Sequence, residues 1–297
     1  MPPPTVVALF GPTGVGKTAV AIALADLLRA AGEDPVAVSA DALQVYRGLE
    51  TLTGAATAAE KERLEHRLLS FLPVDAAFSA GEYARLAHGE IDDLLRAGRR
   101  PIVVGGTGLY LRAALAELDL RPVVPPEIRE RRRADLAARG PRALHDELRR
   151  RAPQAATMSP TDTQRIVRAL ELLDAGHAPP AGDQLWTSDT RHPTLLAGLT
   201  MERAALTARI DARVDEMVAA GAGREVEAAA PLASTTVRKA LGFRELLAGD
   251  VDAMKTRTRQ YARRQLTWMR KLPDVTLVDV TGRAADDVAR ELYAALT

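Results

Sequence analysis

The stretch Gly11-Pro-Thr-Gly-Val-Gly16-Lys17-Thr18 decides the fold of this chain. It matches G-x-x-x-x-G-K-[ST], and it lies between a short apolar run, residues 6–10, and an Ala/Leu-rich segment with helical periodicity, residues 18–30. In such a loop, backbone N–H groups converge on phosphate oxygens, the helix N-terminus adds positive potential, and the lysine supplies a cation. The stretch therefore predicts a phosphate-binding loop (P-loop), with a structural Gly-rich turn as the alternative.

Strand-like and helical segments alternate around this loop. Residues 82–97 have helical periodicity, and strands that alternate with helices predict a parallel sheet covered on both faces. The predicted strands are residues 6–10, 35–40, 101–104, 192–199 and 275–280. Together with the loop, this pattern predicts an α/β fold, a P-loop NTPase-like parallel sheet flanked by helices.

The character of the chain changes at about Leu115. Several prolines follow, and almost everything in residues 127–175 has the pattern of helix rich in Arg and Ala. A Pro/Gly/Asp-rich stretch, residues 177–183, has the composition of a linker. We therefore expect an α/β core interrupted by an all-helical insertion domain. The predicted core is residues 1–114 plus 198–297, and the predicted insertion is residues 115–197.

Charge is distributed unevenly along the chain, although 40 basic and 39 acidic residues leave a net charge of only +1. Residues 121–151 contain ten arginines and five carboxylates, and residues 253–273 contain seven Lys or Arg and no acid. A solvated helix face explains a single run of this kind. Two runs in a chain that is balanced elsewhere indicate a polyanionic partner.

Several classes of protein are excluded by composition. The 297 residues include no cysteine, which excludes disulfides and thiolate metal sites and is typical of a reducing compartment. No apolar run approaches the roughly 20 residues that a membrane-spanning helix needs, and residues 1–5 lack the features of a secretory signal. The histidines show no metal-ligand spacing. We expect a cytoplasmic protein that does not bind membranes.

A carboxylate beside the loop indicates what the site does. An ATPase usually carries an acid at the end of a later strand, but the candidate strand here ends in Val104-Gly105-Gly106. Asp41 follows the predicted strand 35–40 instead, at the edge of the sheet where ligands bind. A helix cap or turn residue is the alternative for Asp41.

Eight segments of the sequence form a colinear series. They are GPTGVGKT at 11–18, DALQVYRG at 41–48, HRL at 66–68, GGTGLY at 105–110, DTQRIVRALE at 162–171, LTARIDARVDEM at 206–217, LGFR at 241–244 and TRQYARRQLTWMR at 258–270. In this order they resemble the tRNA dimethylallyltransferases, the bacterial tRNA isopentenyltransferase family. The last segment is the most specific of the eight.

The chain departs from that family pattern in three places. Ala42 replaces the serine that usually follows the aspartate, and the family's G-T-A-K-P is reduced to Gly54-Ala-Ala-Thr57. The linker around Pro231 is also short. Contacts of the loop at residues 54–57 are not carried over from the family.

The resemblance implies a prenyl-transfer site. The loop would hold the diphosphate of dimethylallyl diphosphate, with Mg²⁺ as the cofactor bound at Thr18. Asp41 would be the general base for a flipped-out adenine amine, and Lys17, Thr13 and Arg213 would stabilise the leaving diphosphate. A solvated helix face is the alternative for Arg213. The implied diphosphate-binding residues are Gly11, Pro12, Thr13, Gly14, Val15, Gly16, Lys17 and Thr18.

The resemblance also implies contacts with the tRNA anticodon stem-loop, partly through the insertion. Tyr261 and Trp268 could stack on bases, although core packing is favoured for Trp268. The implied tRNA-binding residues are Asp41, Ala42, Leu43, Gln44, Thr107, Arg129, Gln164, Arg165, Ile166, Val167, Arg168, Arg238, Lys239, Arg244, Arg263 and Arg264, with the basic segment 257–270 lining the phosphate path.

The implied reaction is transfer of a dimethylallyl group from dimethylallyl diphosphate to the N6 amine of the adenosine next to the anticodon, position 37, in tRNAs that read codons beginning with U. We expect a monomer. An adenylate isopentenyltransferase acting on free nucleotides is the nearest alternative, but it would not need the arginine-rich insertion. The P-loop would also suit a small-molecule kinase or a non-catalytic RNA-binding ATPase. The last segment disfavours the kinase, and the missing acid after Val104 disfavours the ATPase.

Overall fold

The computed structural model describes residues 6–118, 123–179 and 184–296. Residues 1–5, Arg121 of the first basic run and residues 180–183 of the predicted linker lie outside the described residues.

Two compact units make up the chain. The first consists of Met1–Glu117 and Ser188–Thr297, and the second of Leu118–Thr187. The second unit is shorter than the predicted insertion, residues 115–197, mainly at its carboxyl-terminal end.

Contacts of the residues after 187 explain this difference. Arg191 pairs with Asp92 at 2.9 Å and with Glu117 at 2.7 Å, and all three residues belong to the first unit. The residues that follow Arg191 then enter the sheet of the first unit. The chain therefore returns to the first unit about ten residues earlier than predicted.

A parallel sheet forms the centre of the first unit. Its strands are β1 (Val6–Phe10), β2 (Pro35–Ser39), β3 (His66–Arg67), β4 (Arg100–Gly105), β5 (Thr194–Thr200) and β6 (Thr276–Asp279). The spatial order is β3-β2-β4-β1-β5-β6, and each neighbouring pair is parallel. The predicted parallel sheet flanked by helices is confirmed. The prediction missed β3, because its two residues are too few to show a hydrophobic period.

The helices, in chain order, are α1 (Lys17–Ala30), α2 (Glu50–Thr53), α3 (Ala58–Arg63), α4 (Ala80–Arg96), α5 (Gly108–Leu115), α6 (Pro126–Arg151), α7 (Thr163–Asp174), α8 (Arg203–Ala219), α9 (Ala222–Ala229), α10 (Phe243–Leu247), α11 (Val251–Met269) and α12 (Ala285–Ala294). Short 3₁₀ turns occur at Pro153–Ala155, Gln184–Trp186 and Val237–Lys239. Helices α6 and α7 belong to the second unit, and the other helices belong to the first.

The central strand β1 is apolar because it is covered on every side. All five of its residues are buried, and Leu9 lies between Val104 of β4 and Ala197 of β5 in the sheet. Residues of α1 such as Leu24 pack on this part of the sheet. Parallel strands with both faces buried are continuously hydrophobic for this reason. Their carboxyl ends meet at one edge, which brings together the P-loop after β1, Asp41 after β2 and the glycine-rich turn after β4.

The second unit contains a small apolar core of its own. Leu144 and Leu148 of α6 pack against Ile166 and Leu170 of α7. Helix α6 bends at Gly140, which has a φ of 74° and precedes Pro141. A proline cannot donate the next helical hydrogen bond, so the predicted helical stretch consists of shorter pieces.

An ion-pair network joins α6 to α7 in this second unit. Arg132 is only 6% exposed, and its Nε and Nη2 donate to the two carboxylate oxygens of Asp174 at 2.6 and 2.8 Å. Its Nη1 binds Glu147 at 2.8 Å, and Arg131 and Arg151 also bind Asp174. These arginines stabilise the unit, so part of the first basic run is neutralised within the protein.

Candidate functional site

A cavity of about 890 Å³ opens at the carboxyl edge of the sheet in the first unit. The P-loop, the turn after β2, the α2–α3 loop and the turn after β4 line one part of it, and α8, α11 and residues 239–241 line another part. Most of the core positions predicted for the site meet here. They are Thr13, Gly14, Gly16, Lys17, Thr18, Asp41, Ala42, Leu43, Gln44, Thr107, Arg213, Lys239 and Arg264.

Lys17 is folded back onto its own loop. Its Nζ donates to the carbonyl oxygens of Gly11 and Pro12 at 2.9 and 3.0 Å. Burial lowers the pKa of Lys17 to about 8, the charge of Arg213 lowers it too, and Asp41 acts in the opposite direction. A bound anion would favour the charged form of this amine. The loop therefore presents a half-buried cation that lacks an anionic partner close enough for an ion pair among the described residues.

Asp41 holds its own turn with one carboxylate oxygen. Its Oδ1 accepts from the N–H of Leu43 at 2.9 Å, and its Oδ2 accepts from the Thr107 hydroxyl at 3.3 Å. Burial raises the pKa of Asp41, while these donors and the charge of Lys17 act in the opposite direction. A buried carboxylate with a raised pKa is suited to accept a proton.

Arg213 is half-buried against the cavity rather than placed on a solvated helix face. Its Nη2 donates to the carbonyl oxygen of Gly54 at 3.3 Å, and its Nε is buried without a hydrogen bond to any described residue. Burial lowers the pKa of Arg213. A buried guanidinium N–H without a hydrogen-bond acceptor costs free energy unless an anion accepts from it. Arg213 and Lys17 together therefore favour an anion in this cavity.

The reduced loop Gly54-Ala-Ala-Thr57 makes its contacts through the backbone. The side-chain amide of Gln44 donates to the carbonyl oxygens of Thr53 and Gly54 at 3.4 and 3.2 Å. Gly54 has a φ of 59°, and a Cβ on it would lie 1.8 Å from Nη2 of Arg213. The glycine is therefore required at this position, whereas the side chains that depart from the family pattern are not used in these contacts.

The side-chain amide of Gln44 forms its hydrogen bonds within the protein. Besides the two carbonyl contacts, its Oε1 accepts from the hydroxyl of Ser39 at 3.1 Å. The side chain thus supports the loop that Arg213 contacts, although it also lines the cavity. Its predicted contact with tRNA stays a prediction.

The sequence did not reveal the role of Gln265, which lies in α11 and is 4% exposed. Its side chain binds the N–H of Thr13 and the carbonyl oxygen of Gly106, each at 2.8 Å. Its neighbour one turn earlier, Tyr261, lies 3.2 Å from the hydroxyl of Thr107. The specific segment at 258–270 was the available signal, but its spacing gives no indication of what these two side chains touch.

The aromatic ring of Trp268 is largely engaged in packing. A Cβ on Gly108 would lie 2.1 Å from the ring, so the glycine at the start of α5 lets the tryptophan approach. The ring is half-buried. This placement agrees with the core-packing interpretation of Trp268.

The second basic run is only partly free to meet a partner. Lys255 pairs with Asp215, Arg257 with Glu245 and Arg259 with Asp211, which fastens α11 to its neighbours. Arg263, Arg264 and Arg270 are exposed, as are Arg238, Lys239 and Arg244. Arg238 nevertheless donates to the carbonyl oxygens of Ala230 and Ala233 at 2.6 and 2.9 Å.

The positions predicted for tRNA in the second unit have different environments. Ile166 is fully buried in the core and Val167 packs against it, so their side chains stabilise the unit. Gln164 and Arg165 are exposed on the same helix, and Arg129 and Arg168 are half-buried. Arg165 and Arg168 approach Asp162 and Glu171 within α7 at 3.6 and 3.4 Å.

Within residues 6–118, 123–179 and 184–296, no cluster of three or more His, Cys, Asp or Glu side chains could hold a metal ion. Thr18 faces the cavity at the start of α1. A helix that could cross a membrane is likewise absent from this part of the chain.

Comparison with known proteins places the chain in a family. The sequence model "IPP transferase" matches residues 44–272. A tRNA dimethylallyltransferase of Thermobifida fusca is 40% identical over 284 residues, which cover 91% of this chain and 88% of that protein.

Solved structures are similar as well. The tRNA isopentenylpyrophosphate transferase of Bacillus halodurans superposes with a TM-score of 0.71 at 31% identity, covering 98% of this chain and 95% of that one. A eukaryotic dimethylallyltransferase acting on tRNA gives a TM-score of 0.78 at 26% identity, covering 98% and 77% of the two chains. The cavity, its P-loop and its two half-buried cations thus lie in a chain that belongs to the IPP transferase family.

Proposed function

We propose that this chain transfers a dimethylallyl group from dimethylallyl diphosphate to the N6 amine of the adenosine next to the anticodon, position 37, in tRNAs that read codons beginning with U. The observation that carries the proposal is the pair of half-buried cations, Lys17 and Arg213, beside the half-buried carboxylate of Asp41 in one cavity. The relatives' names, which join tRNA to prenyl transfer, support the choice of substrates.

The two cations suit the leaving group of this reaction. As the allylic carbon separates from oxygen, negative charge grows on the diphosphate. Lys17, Arg213 and the backbone N–H groups of the P-loop would stabilise that charge. Thr13 lies in the same loop and lines the cavity, consistent with a place near the bridging oxygen.

The carboxylate of Asp41 is suited to accept a proton from the nucleophile. The exocyclic amine of adenine is a weak nucleophile, because its lone pair is delocalised into the ring. Asp41 would accept a proton from this amine as the C–N bond forms, which typically contributes about 10²- to 10⁴-fold in rate. Its raised pKa makes Asp41 a better proton acceptor than an ordinary aspartate.

Magnesium fits the site as a substrate-bound ion. Mg²⁺ commonly binds one protein oxygen together with phosphate oxygens and waters, and Thr18 supplies one hydroxyl at the cavity. The described residues hold no carboxylate cluster that would bind the ion without substrate. We therefore propose that Thr18 holds Mg²⁺ with the diphosphate, where the ion would neutralise developing charge.

RNA is favoured over a free nucleotide by the charge of the second unit. Arg133, Arg142, Arg149 and Arg150 are exposed and form no ion pair with any residue that the structure describes. A mononucleotide offers too few phosphates to use four such cations, whereas tRNA repeats its charge along a chain. We also propose that the protein acts as a monomer on tRNA in the cytoplasm.

The decisive experiment incubates the protein with radiolabelled dimethylallyl diphosphate, Mg²⁺ and either bulk tRNA or AMP. We expect label in tRNA, located at N6 of one adenosine after digestion to nucleosides. Label in AMP alone would identify a free-nucleotide prenyltransferase. Label in neither acceptor would contradict prenyl transfer, and release of ADP from added ATP would indicate a kinase.

A further inference from the structure

The amide of Gln265 can be oriented in only one way. A backbone N–H only donates and a backbone carbonyl only accepts, so the atom facing the N–H of Thr13 is Oε1 and the atom facing the carbonyl of Gly106 is Nε2. A Cβ on Gly106 would lie 2.3 Å from Nε2, so this contact needs a glycine. Gln265 thus ties the P-loop to the turn after β4.

A hydrogen-bond chain toward Asp41 starts one turn earlier on the same helix. The hydroxyl oxygen of Tyr261 lies 3.2 Å from the hydroxyl oxygen of Thr107, which lies 3.3 Å from Oδ2 of Asp41. An ionised carboxylate only accepts, so the proton of Thr107 points at Asp41. Thr107 must then accept from Tyr261.

We infer that Gln265 and Tyr261 are positioning residues of the proposed transfer reaction, which hold the carboxylate of Asp41 and the peptide of Thr13 at fixed places relative to each other. The inference rests on the proposed function, because it takes Asp41 as the base and the P-loop as the diphosphate site. The two residues act at different places, although both lie in α11. Gln265 contacts the diphosphate loop and the turn after β4, whereas Tyr261 contacts Thr107, the partner of Asp41.

The hydrogen bonds that join Tyr261, Thr107 and Asp41 matter because Asp41 has few other fixed partners. The N–H of Leu43 holds the carboxylate on the side of its own turn, and the charge of Lys17 lies nearby. The buried tyrosines Tyr83 and Tyr110 are the remaining titratable neighbours from α4 and α5. Without the Tyr261 hydroxyl, the Thr107 hydroxyl loses the donor that fixes its rotation, and Oδ2 of Asp41 loses a directed partner.

The division of roles predicts different effects for the two residues. Tyr261→Phe keeps the ring, and so any stacking on a base, but removes the hydroxyl. We expect it to lower the single-turnover rate about tenfold, as for one lost hydrogen bond, and to leave the Kd for dimethylallyl diphosphate within about twofold. Gln265→Met keeps the size of the side chain but removes the amide oxygen and nitrogen that form its hydrogen bonds. We expect it to lower the rate and also to weaken diphosphate binding, by about tenfold each.

A double-mutant cycle with Thr107→Val tests whether Tyr261 acts through Thr107. We expect Tyr261→Phe to have no further effect on the rate once Thr107 is Val. An equal effect in both backgrounds, or a normal rate for Tyr261→Phe alone, would overturn the inference. Normal diphosphate affinity in Gln265→Met would remove the proposed link to the P-loop.

The matched control is Tyr293→Phe, which removes the hydroxyl of a half-buried tyrosine on α12, outside the cavity, and should leave rate and affinity unchanged. The midpoint of thermal unfolding, measured for each variant, shows independently that the variant is folded. A wild-type protein that transfers no label would overturn the proposed function and the inference with it. A wild-type protein that transfers label, together with an unaffected Tyr261→Phe variant, would overturn the inference alone.

Discussion

Thr107 donates a hydrogen bond of 3.3 Å to Oδ2 of Asp41, although 65 residues separate the two in the chain. The other carboxylate oxygen is held by the N–H of Leu43, at 2.9 Å. Asp41 is therefore a turn residue through one oxygen and a candidate base through the other. The two interpretations of its sequence position are compatible, because a carboxylate has more than one acceptor site.

Asp41→Asn should abolish most of the transfer activity while keeping the site folded. The Oδ1 of asparagine can still accept from Leu43, so the turn is retained, but an amide cannot take the proton of the adenine amine. We expect kcat to fall at least about 100-fold, measured with labelled dimethylallyl diphosphate and tRNA, with the Kd for the diphosphate nearly unchanged. Asp26→Asn, an exposed substitution on α1, is the control. A kcat near that of the wild type would remove Asp41 from the role of base.

The pH dependence of the reaction should also report on Asp41. The group must be ionised to accept a proton, so activity falls as the pH drops through its pKa. Burial raises that pKa above the ordinary value of 3.8, so the acidic limb of kcat/KM should lie at a higher pH than an ordinary aspartate would give. The profile is obtained by measuring kcat/KM at a series of pH values across the acidic range. An acidic limb at or below the ordinary value would show that another group limits the rate.

Arg213→Ala should weaken diphosphate binding, since it removes a buried donor that no described residue satisfies at Nε. We expect the Kd for dimethylallyl diphosphate to rise about tenfold or more, as for a lost charge-assisted hydrogen bond. Equilibrium binding without tRNA measures this directly. Arg203→Ala, at the exposed start of the same helix α8, should have no effect. Equal affinities for the two variants would return Arg213 to the role of a surface residue.

The fold could be predicted from local patterns, whereas much of the site could not. The apolar run before Gly11 and the helical segment after Thr18 specify β1, the P-loop and α1 within 25 consecutive residues, 6–30. The partners of Gln265 lie 252 and 159 residues away. No periodicity connects such positions, so the contacts appear only when the sheet brings its strand ends together.

The basic runs are a second example of contacts that the sequence alone does not reveal. A count of arginines in residues 121–151 cannot separate those that meet a partner from those that pair with an acid elsewhere. Arg132 lies 42 residues from Asp174, yet the two form a bidentate pair. The composition therefore overestimated the number of arginines that are free to meet a polyanionic partner.

Asp174→Ala should destabilise the second unit, because it leaves Arg132 buried beside a reduced set of partners. Breaking a buried ion pair by removing one member typically costs about 3 kcal/mol or more. Hydrogen exchange of α6 and α7 and the midpoint of thermal unfolding would both report the loss. Asp146→Ala removes an exposed acid from the same helix as Arg132 and is the control. Equal protection in the two variants would mean that the network contributes little to stability.

Two sets of arginines in the second unit should separate RNA binding from stability. The exposed arginines Arg142, Arg149 and Arg150 form no ion pair with residues in the described part of the chain, whereas Arg131, Arg139 and Arg151 bind Asp174 or Glu147. If tRNA is the partner, the first set supplies cations that release counterions when they meet phosphates. Replacing these three residues by alanine should weaken tRNA binding and reduce the salt slope, by about 0.7 to 0.9 for each phosphate that is no longer neutralised.

The matched triple variant, with alanine at Arg131, Arg139 and Arg151, removes the same charge from the same helix. It should lower the midpoint of thermal unfolding and leave the salt slope nearly unchanged, since its guanidinium groups are already neutralised by carboxylates. Titration of tRNA at several salt concentrations, together with thermal unfolding of each variant, distinguishes the two sets. Identical salt slopes for both variants would show that net charge alone attracts the RNA. An unchanged slope after replacement of Arg142, Arg149 and Arg150 would place the RNA-binding surface away from these residues.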